Sequence, residues 1–221
     1  MRKGAGKMPA LLEELVEERE EIRKWSWKEP ITFNDFLDLY MGMDDSVELV
    51  DGEVIERKMV QFDHENLLMW LLNITGVYAE KRRLGMVLGS RSAVKISDFR
   101  GRLPDMIFIR ADRRQIIQQK ALYEAPDLIV EIRSPGNRKS HMIGLETDYQ
   151  HICAQEIVTI DPIERKVRSL RRRDGQYDVA EQSTGVLEFQ TIPGLNLDVE
   201  WFFSEKRPDA LDIVLDLLVE R

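Results

Sequence analysis

The stretch APDLIVEIRSP, residues 125–135, holds the most apolar run of the chain, and its character decides the fold class. A second run of the same kind, LPDMIFI, occupies residues 103–109. Short apolar runs that are bounded by proline and other turn residues are typical of buried strands in a sheet covered on both faces. We therefore predict that the two runs form adjacent strands at the centre of one sheet.

Helix and hairpin signals surround these two strands. Apolar residues recur at helical spacing over residues 63–81 and 140–152. Asp-Gly pairs at 51–52 and 174–175 separate runs of alternating character, which is a strong signal for β-hairpins. Helices and strands that interleave in this way indicate an α/β or α+β fold, with a mixed central sheet flanked by helices around a single core.

Both ends of the chain carry helical patterns outside this core. Residues 9–24 have a thin apolar stripe among glutamates, and residues 208–220 form a clear amphipathic pattern. Four apolar residues of the second pattern share one predicted face: Leu211, Val214, Leu215 and Leu218. Exposed stripes of this size mark interfaces, so we predict a homodimer. The predicted division is an N-terminal helical extension (1–30), a main domain (31–203) and a C-terminal amphipathic helix (204–221).

The composition is that of an acidic globular protein. Of the 221 residues 43% are hydrophobic, and 40 acidic against 32 basic residues give a net charge of −8. Because nucleic acid is not held by bulk charge in such a protein, contact with DNA would need a local basic patch or a metal ion. The single cysteine, Cys153, excludes an internal disulfide and a cysteine metal cluster. Without a long apolar run or a secretory signal, we expect a cytoplasmic protein that does not enter membranes.

The two central runs also carry candidate chemistry. Asp105 opens the first strand, and Glu131 and Arg133 share a face of the second because side chains alternate along a strand. If the strands are neighbours, the two carboxylates converge to about 4–6 Å and can hold Mg²⁺ or Mn²⁺. Such an ion activates water for hydrolysis of a phosphodiester. The structural alternative is that Asp105 caps a turn and Glu131 forms an ion pair with Arg133 or Arg138.

His64 and Glu48 are weaker candidates by themselves. His64 lies on the apolar stripe of the helix predicted over 63–81, where a histidine is usually a packing residue. Glu48 alternates with Val50 on a strand, where a glutamate is usually exposed to solvent. Zinc-protease, serine-hydrolase and phosphate-binding loop motifs are absent, so those classes are set aside.

A basic cluster occupies the second predicted hairpin. Its members are Arg165, Lys166, Arg168, Arg171, Arg172 and Arg173. Such a cluster can contact phosphates, but more often it protects the edge of a sheet from pairing with another sheet. We favour the edge interpretation.

Six stretches, taken in order, resemble one known family. They are ELVDGEVIE, His64 at a helix start, LPDMIFI, APDLIVEIRSP, VTIDP and TIPGLNLD. Together they resemble the Uma-type restriction endonuclease family over roughly residues 31–203. That family belongs to the PD-(D/E)xK nuclease group. The resemblance implies a restriction-endonuclease-like core and magnesium-dependent cleavage of DNA.

The resemblance also implies roles for single residues. Asp105 matches the PD aspartate and Glu131 the second acid, while Glu48 and His64 match the upstream acidic and histidine positions. The usual lysine position, two residues after the acid, is occupied by Arg133. An arginine can stabilise negative charge on a phosphate, but it is a poor general base because it does not readily lose its proton.

A second departure concerns the helix that follows. Many members of the family supply a lysine four residues before a tyrosine, and counting back from Tyr149 places Leu145 there. The absent lysine and the acidic charge favour a non-catalytic nuclease-fold protein that acts as a binding or assembly module. The intact acids and His64 favour a metal-dependent nuclease. A purely structural oligomer held by its terminal helices is a third, weaker hypothesis.

Overall fold

A six-stranded mixed sheet lies at the centre of the protein. The computed structural model describes residues 30–40, 47–56, 61–89, 92–118 and 121–219. The helix predicted over residues 9–24 lies outside them.

The sheet has the strand order β10-β9-β8-β7-β6-β3, in which only the β7–β8 pair is parallel. Its strands are β3 (Gly85–Gly89), β6 (Met106–Arg110), β7 (Leu128–Ile132), β8 (Glu156–Asp161), β9 (Lys166–Arg173) and β10 (Gln176–Gln182). The two predicted central runs are β6 and β7, and they pair antiparallel. The mixed α+β class and the adjacency of these strands are therefore confirmed.

Four α-helices and two short 3-10 helices occur in the described part of the chain. The α-helices are α1 (Phe33–Tyr40), α2 (Phe62–Lys81), α3 (Lys139–His151) and α4 (Ala210–Val219), and the 3-10 helices span Ala111–Ile116 and Val199–Phe203. Within those residues, no helix is both long and apolar enough to cross a membrane.

A smaller four-stranded sheet, of order β2-β1-β5-β4, lies beside the main one. Its strands are β1 (Val47–Val50), β2 (Glu53–Glu56), β4 (Val94–Ser97) and β5 (Arg100–Arg102), and a separate ribbon joins β11 (Val186–Glu188) to β12 (Asn196–Asp198). Asp51 and Gly52 join β1 to β2 with φ of +53° and +80°, so this turn needs residues that tolerate the left-handed region. Both predicted Asp-Gly hairpins are present.

Helices cover both faces of the main sheet because its central strands alternate between two apolar clusters. Met106 and Phe108 of β6 pack in the cluster that contains α2 and α4. Ile107 and Ile109 pack in the cluster that contains α3. The prediction of a sheet buried on both faces is confirmed.

The C-terminal helix packs on α2. Ile213 and Val214 are buried, and Trp70 of α2 donates from Nε1 to the carbonyl of Pro208 at 2.9 Å. Of the four residues predicted to share one apolar face, Val214 is buried and Leu218 is half-buried against the core, whereas Leu211 and Leu215 are exposed. The predicted face is therefore divided between the core and the surface.

Candidate active site

Two buried carboxylates occupy the end of the sheet where β6 begins and β7 approaches its last residue. Asp105 immediately precedes β6, and Glu131 lies within β7. Met106 is opposite Val130 in the antiparallel register, so extending the register by one residue places Asp105 opposite Glu131. Opposed residues have Cβ atoms about 4.5–5.5 Å apart. We call Asp105 and Glu131 the strand-end pair.

Asp105 is oriented by a backbone amide and by His64. Its Oδ2 accepts a hydrogen bond from the Ile132 N–H at 2.8 Å and lies 3.1 Å from His64 Nε2. The same nitrogen lies 3.1 Å from the Ile132 carbonyl oxygen. Burial lowers the pKa of His64, but the hydrogen bond to Asp105 and the charge of that carboxylate outweigh burial, so the pKa is raised above 6.5. His64, in the first turn of α2, therefore orients Asp105 and is more than a packing residue of the core.

Glu131 is oriented by a tyrosine on the helix that covers the sheet. The hydroxyl of fully buried Tyr149 donates a short hydrogen bond to Glu131 Oε1. Burial and the negative charge of Glu131 raise the pKa of Tyr149 well above 10.0, so the hydroxyl stays protonated and acts as a donor. The sequence pattern used Tyr149 only to locate position 145, and its role as a partner of Glu131 was missed.

Glu48 reaches the same region from the smaller sheet, where it is buried against an arginine. Arg102 on β5 donates from Nη1 to Glu48 Oε2 at 3.0 Å. The same guanidinium binds Asp148 of α3, with Nε at 2.8 Å and Nη2 at 2.7 Å from Oδ2. Burial lowers the pKa of Arg102, but the charges of Glu48 and Asp148 outweigh burial and raise it, so the group stays positive. We call Glu48 and Asp148 the arginine-bound pair.

The two acid pairs share one buried environment. Asp148 and Tyr149 are consecutive in α3, so the helix joins the arginine-bound pair to Glu131. Besides burial and Glu131, the charge of Glu48 raises the pKa of Tyr149 and the charge of Arg102 lowers it, so both groups act on this hydroxyl. Glu48 is thus placed near the predicted site, but in contact with a cation that the sequence pattern did not single out.

Arg133, the predicted charge stabiliser, pairs with one acid at the end of β8 and one in the turn that follows. Its Nη1 donates to Asp161 Oδ2 at 2.6 Å and lies 3.6 Å from Glu164. Lys139, the first residue of α3, lies 2.6 Å from the same Glu164. Both cations are therefore held at the turn between β8 and β9.

Leu145 occupies the position at which the family resemblance implies a lysine, and its surroundings are apolar. It is 4% exposed and belongs to the apolar cluster between α3 and the sheet. The next residue, Glu146, is also buried and accepts hydrogen bonds from Thr159 and Arg168, each at 3.1 Å. The helix face above the sheet thus carries an acid and a leucine.

The basic hairpin is neutralised by acids on neighbouring elements. Arg168 binds Glu181 of β10 at 3.0 Å as well as Glu146, and Arg171 binds Glu156 at 3.2 Å. These pairs favour the structural interpretation of the cluster over one in which it contacts phosphates.

The chemistry of the strand-end pair suits a hard cation. Mg²⁺ is usually held by one or two carboxylates and keeps several water molecules. Asp105 and Glu131 supply two such carboxylates at one end of the sheet. No group of three or more His, Cys, Asp or Glu is arranged to hold a metal among residues whose placement the structure gives. An ion bound at the strand-end pair would therefore have two carboxylates as protein ligands and water molecules as its other ligands.

The fold agrees with that of a protein whose crystal structure is solved. The crystal structure of a protein described as "a putative nuclease belonging to DUF820", from Anabaena variabilis, superposes with a TM-score of 0.66 at 20% sequence identity. The match covers 79% of this chain and 98% of that one. At this identity the likeness shows a common fold.

The family is shown by the sequence itself. Residues 33–200 match the model of the Uma2 family, described as "Putative restriction endonuclease". The chain belongs to this family, and the resemblance inferred from its motifs is confirmed. No curated protein matches the chain.

Proposed function

We propose that this protein is a metal-dependent endonuclease that hydrolyses phosphodiester bonds of DNA, with Asp105 and Glu131 as ligands of Mg²⁺ or Mn²⁺. The observation that carries the proposal is the register of β6 and β7, which brings these buried carboxylates to one end of the sheet. Membership of a family of restriction endonucleases supports nuclease activity and a DNA substrate.

Neighbouring groups hold the two acids in place. The Ile132 amide and His64 fix one oxygen of Asp105, and the Tyr149 hydroxyl fixes one oxygen of Glu131. The side chains are thus oriented before an ion arrives, and little conformational entropy remains to be lost on binding. When bound, the ion supplies a water of lowered pKa and offsets negative charge on the phosphate.

Arg133 is the proposed charge stabiliser, but its ion pairs reduce the positive charge that it can offer to a phosphate. It follows the acidic strand directly, but Asp161 and Glu164 share its positive charge. Leu145 adds no charge where the family resemblance implies a lysine. Removal of one such stabiliser typically lowers a rate by about 10²–10³. We therefore propose weak but detectable cleavage.

The second candidate is a non-catalytic member of the same fold that binds or assembles without cutting. Three observations favour it: Leu145 is apolar and buried, and Arg133 and Lys139 are both paired with acids. In this case the two carboxylates would be remnants of a nuclease site.

Cleavage assays separate the two candidates. Plasmid and single-stranded DNA are incubated with the protein and Mg²⁺ or Mn²⁺, alongside Glu131→Ala and the matched acid variant Glu181→Ala, whose side chain is half exposed on β10. We expect cleavage by the wild type and by Glu181→Ala, and none by Glu131→Ala. Leu145→Lys should raise the rate. If neither metal supports cleavage by the wild type or by Leu145→Lys, the non-catalytic function is correct.

We also propose a homodimer in the cytoplasm. The support for a dimer is the outward stripe of α4, where Leu211, Leu215 and Val219 are 60%, 51% and 80% exposed. Light scattering at micromolar concentration should report twice the 25.8 kDa mass of the chain, and Leu211→Asp should return the mass to that of one chain. A wild-type monomer would contradict the dimer without touching the proposed chemistry.

A further inference from the structure

A guanidinium occupies the space between the two acids of the arginine-bound pair. The side chains of Arg102, Glu48 and Asp148 are 7%, 8% and 6% exposed, so the three charges are buried together. Oxygens from both carboxylates lie within 3.0 Å of nitrogens of the one guanidinium. Arg102 therefore holds together two acids that belong to different elements, β1 and α3.

This arrangement uses Glu48 differently from the strand-end acids. Asp105 and Glu131 are bound by hydrogen-bond donors from an amide, an imidazole and a hydroxyl. Glu48 is bound by a full positive charge that cannot leave by deprotonation. To use Glu48 as a ligand, a divalent ion would have to displace that guanidinium, which would leave a buried arginine short of its partner.

We infer that Arg102 takes the place of a second metal ion, so that the centre binds one divalent ion at Asp105 and Glu131, and Glu48 serves Arg102 rather than a metal. This inference rests on the proposed function, because it assumes that the strand-end pair binds an ion. The centre then binds one ion per chain, and Arg102 acts as a positioning residue.

Arg100 offers a matched comparison within the same network. It binds Asp148 at 2.6 Å and forms a short ion pair with Asp51, but its side chain is 26% exposed. Its ion pairs are with Asp148 and Asp51, whereas Arg102 pairs with Asp148 and Glu48. Its removal should therefore weaken the network without opening the Glu48 side of the centre to an ion.

Titration calorimetry with Mn²⁺ as the probe tests the inference on the full chain. We expect one ion per chain for the wild type, two for Arg102→Met, and one for Arg100→Met. Urea unfolding of each variant shows whether the protein titrated is folded. Two ions bound by the wild type, or one bound by folded Arg102→Met, would overturn the inference while leaving the proposed function standing. Zero ions bound by the wild type would overturn both.

Glu48→Gln keeps the test decisive if Arg102→Met does not fold. Because Glu48 is not a metal ligand in this arrangement, the affinity of the wild-type site for Mn²⁺ should change by less than about threefold in Glu48→Gln. Loss of a true carboxylate ligand would weaken binding by about tenfold or more, which corresponds to about 1.4 kcal/mol. A tenfold loss in folded Glu48→Gln would therefore overturn the inference, and Asp105→Asn provides the reference for such a loss.

Discussion

The strand-end pair and the arginine-bound pair are both buried acids, yet their partners differ. Asp105 and Glu131 are held by a backbone amide, a histidine and a tyrosine hydroxyl. Glu48 and Asp148 are held by the guanidinium of Arg102. The amide and the hydroxyl are neutral donors and His64 can lose its proton, so these carboxylates keep a negative charge for an incoming cation. The charge of a carboxylate paired with arginine is already compensated, because arginine does not readily lose its proton. Burial alone thus does not tell which acids of a nuclease fold bind metal.

The largest expected difference between the pairs is in catalysis. In the proposed function, Asp105→Asn removes a ligand charge for the ion, and such an ion supplies several kcal/mol of transition-state stabilisation. We expect the cleavage rate to fall by at least about 10³-fold, since each factor of ten corresponds to about 1.36 kcal/mol. Glu48→Gln should lower the rate by less than about tenfold. Equal losses in the two variants, measured at saturating Mg²⁺, would remove the distinction between the pairs.

The arginine-bound pair should dominate stability instead. Arg102→Met removes the guanidinium from buried Glu48, while Asp148 keeps its ion pair with Arg100, and breaking a buried ion pair in this way costs about 3–5 kcal/mol. Arg168 also binds two acids, but its side chain is 37% exposed, and pairs of that kind contribute about 0–1 kcal/mol. In urea unfolding, the free energy of unfolding should therefore be much lower for Arg102→Met than for Arg168→Met. A loss under 1 kcal/mol in Arg102→Met would mean that water compensates the charge of Glu48 and Arg100 that of Asp148.

Within the strand-end pair, the tyrosine hydroxyl should have a smaller effect that can still be measured. Tyr149→Phe removes one hydrogen bond to the buried carboxylate of Glu131, and bonds to charged groups contribute about 1.5–3 kcal/mol. We expect a loss of this size in the free energy of unfolding without metal. Bound Mn²⁺ should reduce the loss, because the ion compensates the charge of Glu131. An unchanged loss with Mn²⁺ would indicate that Glu131 is not a ligand.

Local signals were enough to predict the frame of the molecule. The β6 and β7 strands follow from short apolar runs, and the two hairpins follow from Asp-Gly pairs whose backbone needs positive φ. The same two runs placed Asp105 at the start of β6 and Glu131 within β7. These features depend on residues that are close together in the sequence, so a single chain is sufficient to find them.

The partners of the acids could not be predicted in the same way. Arg102 binds residues 46 and 54 positions away, and Tyr149 binds one that is 18 positions away. Such pairs depend on how β1, β5 and α3 meet in space, which periodicity does not report. One signal was available: Glu146 and Asp148 flank an apolar face of α3, and buried acids require cationic or donor partners.

The smallest expected effect is a pH dependence of stability that arises from His64. Its pKa is raised in the folded protein, chiefly by Asp105 acting against burial, above the 6.5 of an unfolded histidine. The stabilisation by Asp105 is then complete below about pH 6.5 and is lost as the pH rises through the folded pKa, because the imidazolium loses its proton. We expect the wild type to exceed His64→Gln in free energy of unfolding by more at pH 5.5 than at pH 8.5, in EDTA. His151 is present in both proteins and cancels from the difference. A margin that stays constant or grows with pH would mean that His64 acts through packing and a neutral hydrogen bond, and that the donors around Asp105 carry no charge.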